Sequence, residues 1–208
     1  PLYNEIANIP LFFYHPDLKQ YQGEQRNVVT QNIDLMPTFL DMHGHSIPSE
    51  VKGKSLLNYL HKDTDKKFTA LYGYWGGGIN ITDGEYSYFH YPENFSQQNP
   101  DRYQYTLMPT HMRQFFSNEE LQTATLHKPF SFTKNIPVLK INRIEKKTDG
   151  GYKGFEDTKS ALYNLNNDPG QLSKIDDKNK CDEYKKMMIE IINEYDPPKE
   201  LIKNYFNN

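Results

Sequence analysis

The sequence predicts a chain in two parts. A leading α/β segment comes first, and beyond a charged stretch at 61–67 follows a small α+β part with a short antiparallel sheet and a packed C-terminal helix. Three observations carry that expectation. Ile9-Pro-Leu-Phe-Phe-Tyr14 is a continuous apolar run, the pattern of a strand covered on both faces as in a parallel sheet. From Phe68 onward the texture turns aromatic and β-branched, and Asp83-Gly84 between two such runs is a strong hairpin signal. Near the end, Tyr184, Met187, Met188, Ile191 and Ile192 recur at helical spacing.

The remaining elements follow in order. Val28-Val29 starts a second short extended piece. Asp34 is expected to cap a helix that tolerates Pro37 in its first turn, with Ile33, Met36, Phe39 and Leu40 on one face and a stop at Gly44. Ser55–Leu60 reads as one further short helix. Ala70–Trp75, Gly76–Ile81 and Glu85–Tyr91 read as strands, Phe130–Phe132 and Pro137–Ile141 as weaker ones. Lys159–Leu165 reads as another strand, ending in the turn Asn167-Asp-Pro-Gly170. Two helices close the chain, from Lys180 to Tyr195 and after Pro197-Pro198.

Composition narrows the function classes. With 36% apolar and 14% aromatic residues, 16 Tyr and 12 Phe must supply much of the packing. The formal charge of −3, with both signs interspersed, offers no basic face for nucleic acid. One cysteine, Cys181, excludes an internal disulfide framework without fixing a compartment. No apolar run is long enough for a membrane span, and residues 9–14 lack the basic leader of a signal peptide. That leans the reading toward the cytoplasm. Beginning at Pro1, the chain reads as a piece of something longer.

Four stretches carry a resemblance. They are Tyr3-Asn-Glu-Ile-Ala-Asn-Ile-Pro-Leu11, Asp34-Leu-Met-Pro-Thr-Phe-Leu-Asp-Met-His-Gly44, Gly53-Lys-Ser-Leu-Leu57 and Leu162-Tyr-Asn-Leu-Asn-Asn-Asp-Pro-Gly-Gln171. Each alone is a modest signal, but in this order they resemble the C-terminal half of the sulfatase family. The resemblance implies that residues 1–62 end an alkaline-phosphatase-like α/β catalytic domain. Residues 68–208 would then form its C-terminal α+β subdomain.

It also implies the chemistry. Sulfatases attack sulfur with a hydrated formylglycine made from Cys or Ser in a Cys/Ser-x-Pro-x-Arg motif, and hold a divalent cation such as calcium with oxygen ligands. Neither part is found in this sequence. Cys181 is followed by Asp-Glu-Tyr-Lys185, and Ser46-Ile-Pro-Ser-Glu50 ends in Glu where Arg should stand. The acidic pair Asp176-Asp177 reads as a solvated loop or helix start. The piece is therefore expected to be inactive alone and to hold no cofactor. Formylglycine and cation would come from a missing N-terminal half, and the substrate of the whole would be a small-molecule or carbohydrate sulfate ester.

Some residues could still touch a substrate. His111 and Arg113 stand two apart in a Pro-containing loop, and Arg pairs with sulfate or carboxylate at two points. Tyr74 and Trp75, before three glycines, could form a sugar platform or simply fill a core. His15 follows a predicted strand end, where α/β proteins place sites, although capping that end is the plain alternative. His43 and His45 flank Gly44 and more simply decorate a helix terminus. Two other readings stay open: a phosphonate monoester or phosphodiester hydrolase of the same superfamily, and a non-enzymatic carbohydrate-binding module. A half catalytic domain would also expose apolar surface, so self-association is expected.

Overall fold

The computed structural model describes residues 2–62, 66–73, 77–92, 103–108, 110–111, 113–142 and 159–206. Among the described residues the chain is mixed α and β, and its two sheets are antiparallel. It divides into two compact units, one of residues 1–91 and 159–191, the other of 92–158 and 192–208.

In the first unit, α1 (Asn4–Ala7), α2 (Leu35–Met42) and α3 (Leu57–His61) precede a four-stranded sheet. Its order is β1 (Ala70–Gly73), β2 (Ile79–Thr82), β3 (Tyr86–His90), then β7 (Ala161–Asn164). The hairpin joining β2 and β3 forms at Asp83-Gly84 as expected. Gly84 takes φ +89°, and Asp83 Oδ1 accepts from the backbone N–H of Glu85 and Tyr86 at 3.0 and 2.8 Å. β3 and β7 are paired side by side, and Ser160 fastens their ends. Its Oγ accepts from Tyr91 N and donates to Tyr91 O, both at 3.0 Å.

Alternation across the pleat sorts the side chains. Ile81, Tyr88 and Leu162 are buried on one face, Ser87, Phe89 and Tyr163 on the other. α5 (Lys178–Asn193) places Tyr184 over the first of these faces. The Tyr184 ring lies 6.1 Å from that of Tyr86, and its hydroxyl donates to Asp83 Oδ2 at 2.9 Å. Tyr184 and Met188 are buried, four apart on one side of the helix, as the periodicity predicts.

The second unit holds a three-stranded sheet of order β4 (Tyr103–Thr106), β6 (Val138–Asn142), β5 (Thr125–His127), with α4 (Asn118–Gln122) and α6 (Lys199–Phe206). Phe116, Phe130, Val138, Ile141 and Phe206 are buried in it. α6 is tied down by Glu200, which accepts from Lys140 Nζ at 2.9 Å and from the Tyr105 hydroxyl. Tyr105 and Lys140 face each other across β4 and β6.

Several expectations are corrected. Residues 9–14 form no strand: Ile9, Leu11 and Tyr14 are exposed and Phe12 is 92% exposed. Pro10 lacks an N–H, and no described strand lies beside the run to pair with it. Val28-Val29 is likewise irregular. Phe130–Phe132 is no strand because Thr133 closes a tight turn, its Oγ1 accepting from Phe130 N at 3.0 Å. The helix near residue 34 starts earlier than its cap signal, as a 3-10 turn over Asn32–Asp34 that leads into α2. Its faces are also inverted. Asp34, Pro37 and Thr38 are buried, while Ile33, Met36 and Phe39 are exposed.

Candidate functional site

The four stretches that suggested a family meet in two pairs. In the first, Asp34 is 1% exposed, and its carboxylate accepts from Gln31 N at 2.8 Å and Lys54 N at 2.9 Å. The Lys54 ammonium stands 3.6 Å from the same carboxylate, donates to Val29 O at 3.0 Å, and lies 4.0 Å over the Phe68 ring. Burial lowers the Lys54 pKa below its ordinary value, against the raising pull of Asp34. Thr38 Oγ1 donates to Asp34 O at 2.6 Å and accepts from Leu56 N at 2.9 Å, and Ser55 Oγ donates to Asp41.

Gly53 makes this closeness possible. A Cβ there would lie 2.0 Å from Ile33 O and 2.5 Å from Ile33 C. The Asp-x-x-Pro-Thr helix and the Gly-x-Ser-Leu element are thus one hydrogen-bonded clasp, with a buried carboxylate satisfied by backbone donors.

In the second pair, the chain start meets the late motif. Gln171 Oε1 accepts from Asn4 N at 2.5 Å, and the Tyr3 ring sits 5.4 Å from Phe89 and 6.2 Å from Tyr163, edge on. The turn after β7 is held by Asn164 Oδ1, which accepts from Asn166 N and Asn167 N. Asp168 does the same for Leu172 N and Ser173 N. The left-handed residue of this turn is Gln171 at φ 51°, not Gly170. The side-chain oxygens named here hold the backbone, while Gln171 Nε2 is buried without a hydrogen-bond partner among the described residues.

The residues singled out for chemistry lie apart from those clasps. His15 caps the 3-10 helix Pro16–Tyr21, its Nδ1 accepting from Asp17 N at 3.3 Å. His43 and His45 are exposed around Gly44, at the end of α2. Asp177 Oδ1 accepts from Lys180 N at 3.0 Å, so one member of the acidic pair caps α5. Burial pushes the Cys181 thiol up, away from the thiolate that reactivity needs. Tyr74 and Trp75 lie outside the described residues. Beside them, a Cβ on Gly78 would lie 2.6 Å from the Tyr91 ring, so at Gly78 the close approach is made by that tyrosine.

His111 and Arg113 belong to the second unit, where Thr110 and Phe115 form an isolated antiparallel bridge. His111 Nε2 is 2.8 Å from Glu120 Oε1, and its ring meets that of Phe116 edge on at 4.4 Å. Arg113 is exposed, and among the described residues no carboxylate pairs with it. Sequence reading missed Glu120. The available signal was Ser117-x-x-Glu120, a capping box that the structure forms. Among the described residues, no group of three or more His, Cys, Asp or Glu is gathered closely enough to hold a metal ion. These side chains do not fit a divalent cation, and no reaction step on this chain is assigned to one. No helix among the described residues is long and apolar enough to cross a membrane.

The chain belongs to the N-sulphoglucosamine sulphohydrolase C-terminal family, whose model matches residues 1–127. It is similar to two sulfatases of Bacteroides thetaiotaomicron. One is a Delta 4,5-hexuronate-2-O-sulfatase, 36% identical over 66 residues, 31% of this chain and 14% of the relative. The other is an N-acetylglucosamine-6-O-sulfatase, 31% identical over 78 residues, 36% of this chain and 14% of the relative. The matched stretch is thus 14% of the length of each curated relative. A solved structure described as a complex with its substrate D-glucosamine-2-N,6-O-disulfate aligns over 84% of this chain and 24% of that one. Its TM-score is 0.35 and its identity 16%.

Proposed function

We propose that this chain is the C-terminal part of an enzyme that hydrolyses sulfate monoesters on sugars. The observation that carries the reading is the family match over residues 1–127. A second observation supports it: Phe12, Tyr14, Met36 and Phe39 are each exposed, apolar area of the kind a larger catalytic domain would cover. In this reading residues 1–62 complete an alkaline-phosphatase-like catalytic domain. Residues 68–208 supply its C-terminal subdomain. The formylglycine nucleophile and a calcium-like cation come from a preceding segment, and this chain alone turns over no ester.

Its own contribution is twofold. The two clasps hold the scaffold, and the loop bearing His111 and Arg113 contacts the sugar. Tyr74, Trp75 and His15 are the remaining candidates for such contact. The activities of the similar sulfatases point to glucosamine sulfates and 2-O-sulfated unsaturated uronates as substrates.

The test is sulfate release by the complete polypeptide from glucosamine 6-sulfate, N-sulfoglucosamine and a 2-O-sulfated unsaturated disaccharide. Turnover of one by the complete polypeptide, with none by residues 1–208 alone, is the expected result. Turnover of phosphonate or phosphodiester substrates in place of all three would overturn the reading.

A further inference from the structure

We propose that Glu120 is a positioning residue. It fixes His111 so that the loop between Thr110 and Phe115 offers Arg113 and the free Nδ1 of His111 to a sulfated or uronate sugar; this rests on the sulfatase reading above.

Thr110 and Phe115 form an antiparallel bridge, and His111 and Arg113 lie between these two paired positions in the sequence. That segment is secured through His111 from α4. A carboxylate has no proton to give, so Nε2 must carry the hydrogen of the 2.8 Å contact with Glu120 Oε1. That leaves Nδ1 without a hydrogen-bond partner among the described residues.

Glu120 is itself held. Its Oε2 accepts from Ser117 N at 2.8 Å, and its own N–H donates to Ser117 Oγ at 3.2 Å. Its side chain is only 13% exposed. Burial raises its pKa, but the bonds from Ser117 and His111 outweigh that and hold it below the ordinary value, which keeps the carboxylate ionised. The Phe116 ring blocks a further direction of movement for the imidazole.

One residue beyond His111's neighbour, Arg113 is exposed and unpaired among the described residues, free to grip a sulfate or carboxylate at two points. Phe115, two residues further on, is 85% exposed and offers an apolar ring. Arg113 is the group able to hold the anion, and the bare Nδ1 of His111, a lone pair held in place through Glu120, accepts from a sugar hydroxyl.

The experiment compares Glu120→Gln and Ser117→Ala in the complete polypeptide with sulfated glucosamine as substrate. Glu120→Gln should raise KM about tenfold, the scale of one charge-assisted hydrogen bond, and leave kcat within about twofold. Imidazole nitrogen NMR should show His111 losing its fixed Nε2–H tautomer. Ser117→Ala should lower Tm without moving KM, because it removes the helix cap but leaves the backbone donor to Glu120. An unchanged KM in Glu120→Gln, or an equal KM rise in Ser117→Ala, overturns the positioning role while the sulfatase reading stands. Failure of the wild-type polypeptide to release sulfate from any such sugar overturns both.

Discussion

Gly53→Ala is the sharpest test of the first clasp. The new methyl carbon would sit 2.0 Å from Ile33 O, 2.5 Å from Ile33 C and 3.0 Å from Asp34 N. All three are backbone atoms of the turn that carries Asp34, so no side chain can swing aside. The segments must part, and parting stretches the bonds from Lys54 N to Asp34 and from Leu56 N to Thr38. Overpacking costs about 1–3 kcal/mol and each lost bond about 1 kcal/mol, so the sum is about 3–5 kcal/mol.

Urea unfolding followed by tyrosine fluorescence should show this as a midpoint lowered by more than about 1 M at an ordinary slope. Gly23→Ala is the control. Gly23 has φ +79° but nothing within 4 Å of its would-be Cβ, so only left-handed strain of about 1–2 kcal/mol is expected. Equal losses in the two variants, or a Gly53→Ala loss under about 0.5 kcal/mol, would refute the claim that the two motifs are locked backbone to backbone.

Three further outcomes are expected. Burial holds the Tyr88 and Tyr105 hydroxyls up at about 12, so absorbance titration to pH 11 should leave both protonated; ionisation of either near pH 10 contradicts their placement. Burial raises the Glu200 pKa, but the bonds from Tyr105 and Lys140 outweigh it and leave the folded-state value below the ordinary 4.5. Its stabilisation is therefore present above pH 4.5 and lost as pH falls through the lower folded value, so Glu200→Gln should unfold more easily than wild type near neutrality and converge with it in acid. Finally, residues 1–208 alone should self-associate in sedimentation velocity. Phe12→Ser with Met36→Lys and Phe39→Lys, all at exposed positions, should shift the chain toward monomer at little cost in Tm; an unchanged distribution means the contact lies elsewhere.

Local signals were legible wherever a short stretch determines its own conformation. The Asp83-Gly84 hairpin, β7 and the stripe on α5 all formed, because turn chemistry and periodicity act over a few residues. The strand at Ile9–Tyr14 and the buried face of α2 did not. Apolar character states only that a residue gains from cover, and here Phe12 and Phe39 remain exposed while Asp34 and Thr38 are buried through bonds to residues about twenty positions away. Of the residues noted as candidates for sugar contact, the surroundings of His111 were only partly legible. His111 and Arg113 drew notice by residue type, but the Glu120 partner is nine residues on, behind a capping signature that points to helix initiation alone.

The Ser160 fastening has a consequence for how such a chain can vary. Because β3 departs and β7 returns side by side, with both ends of the excursion tied through Tyr91, the polypeptide between them is an insert whose closure is already met by its host. Loop entropy grows only slowly with length, so a change in the number of residues between β3 and β7 costs the four-stranded sheet little. Strand pairing in that sheet is thereby decoupled from the length of what is threaded between its members.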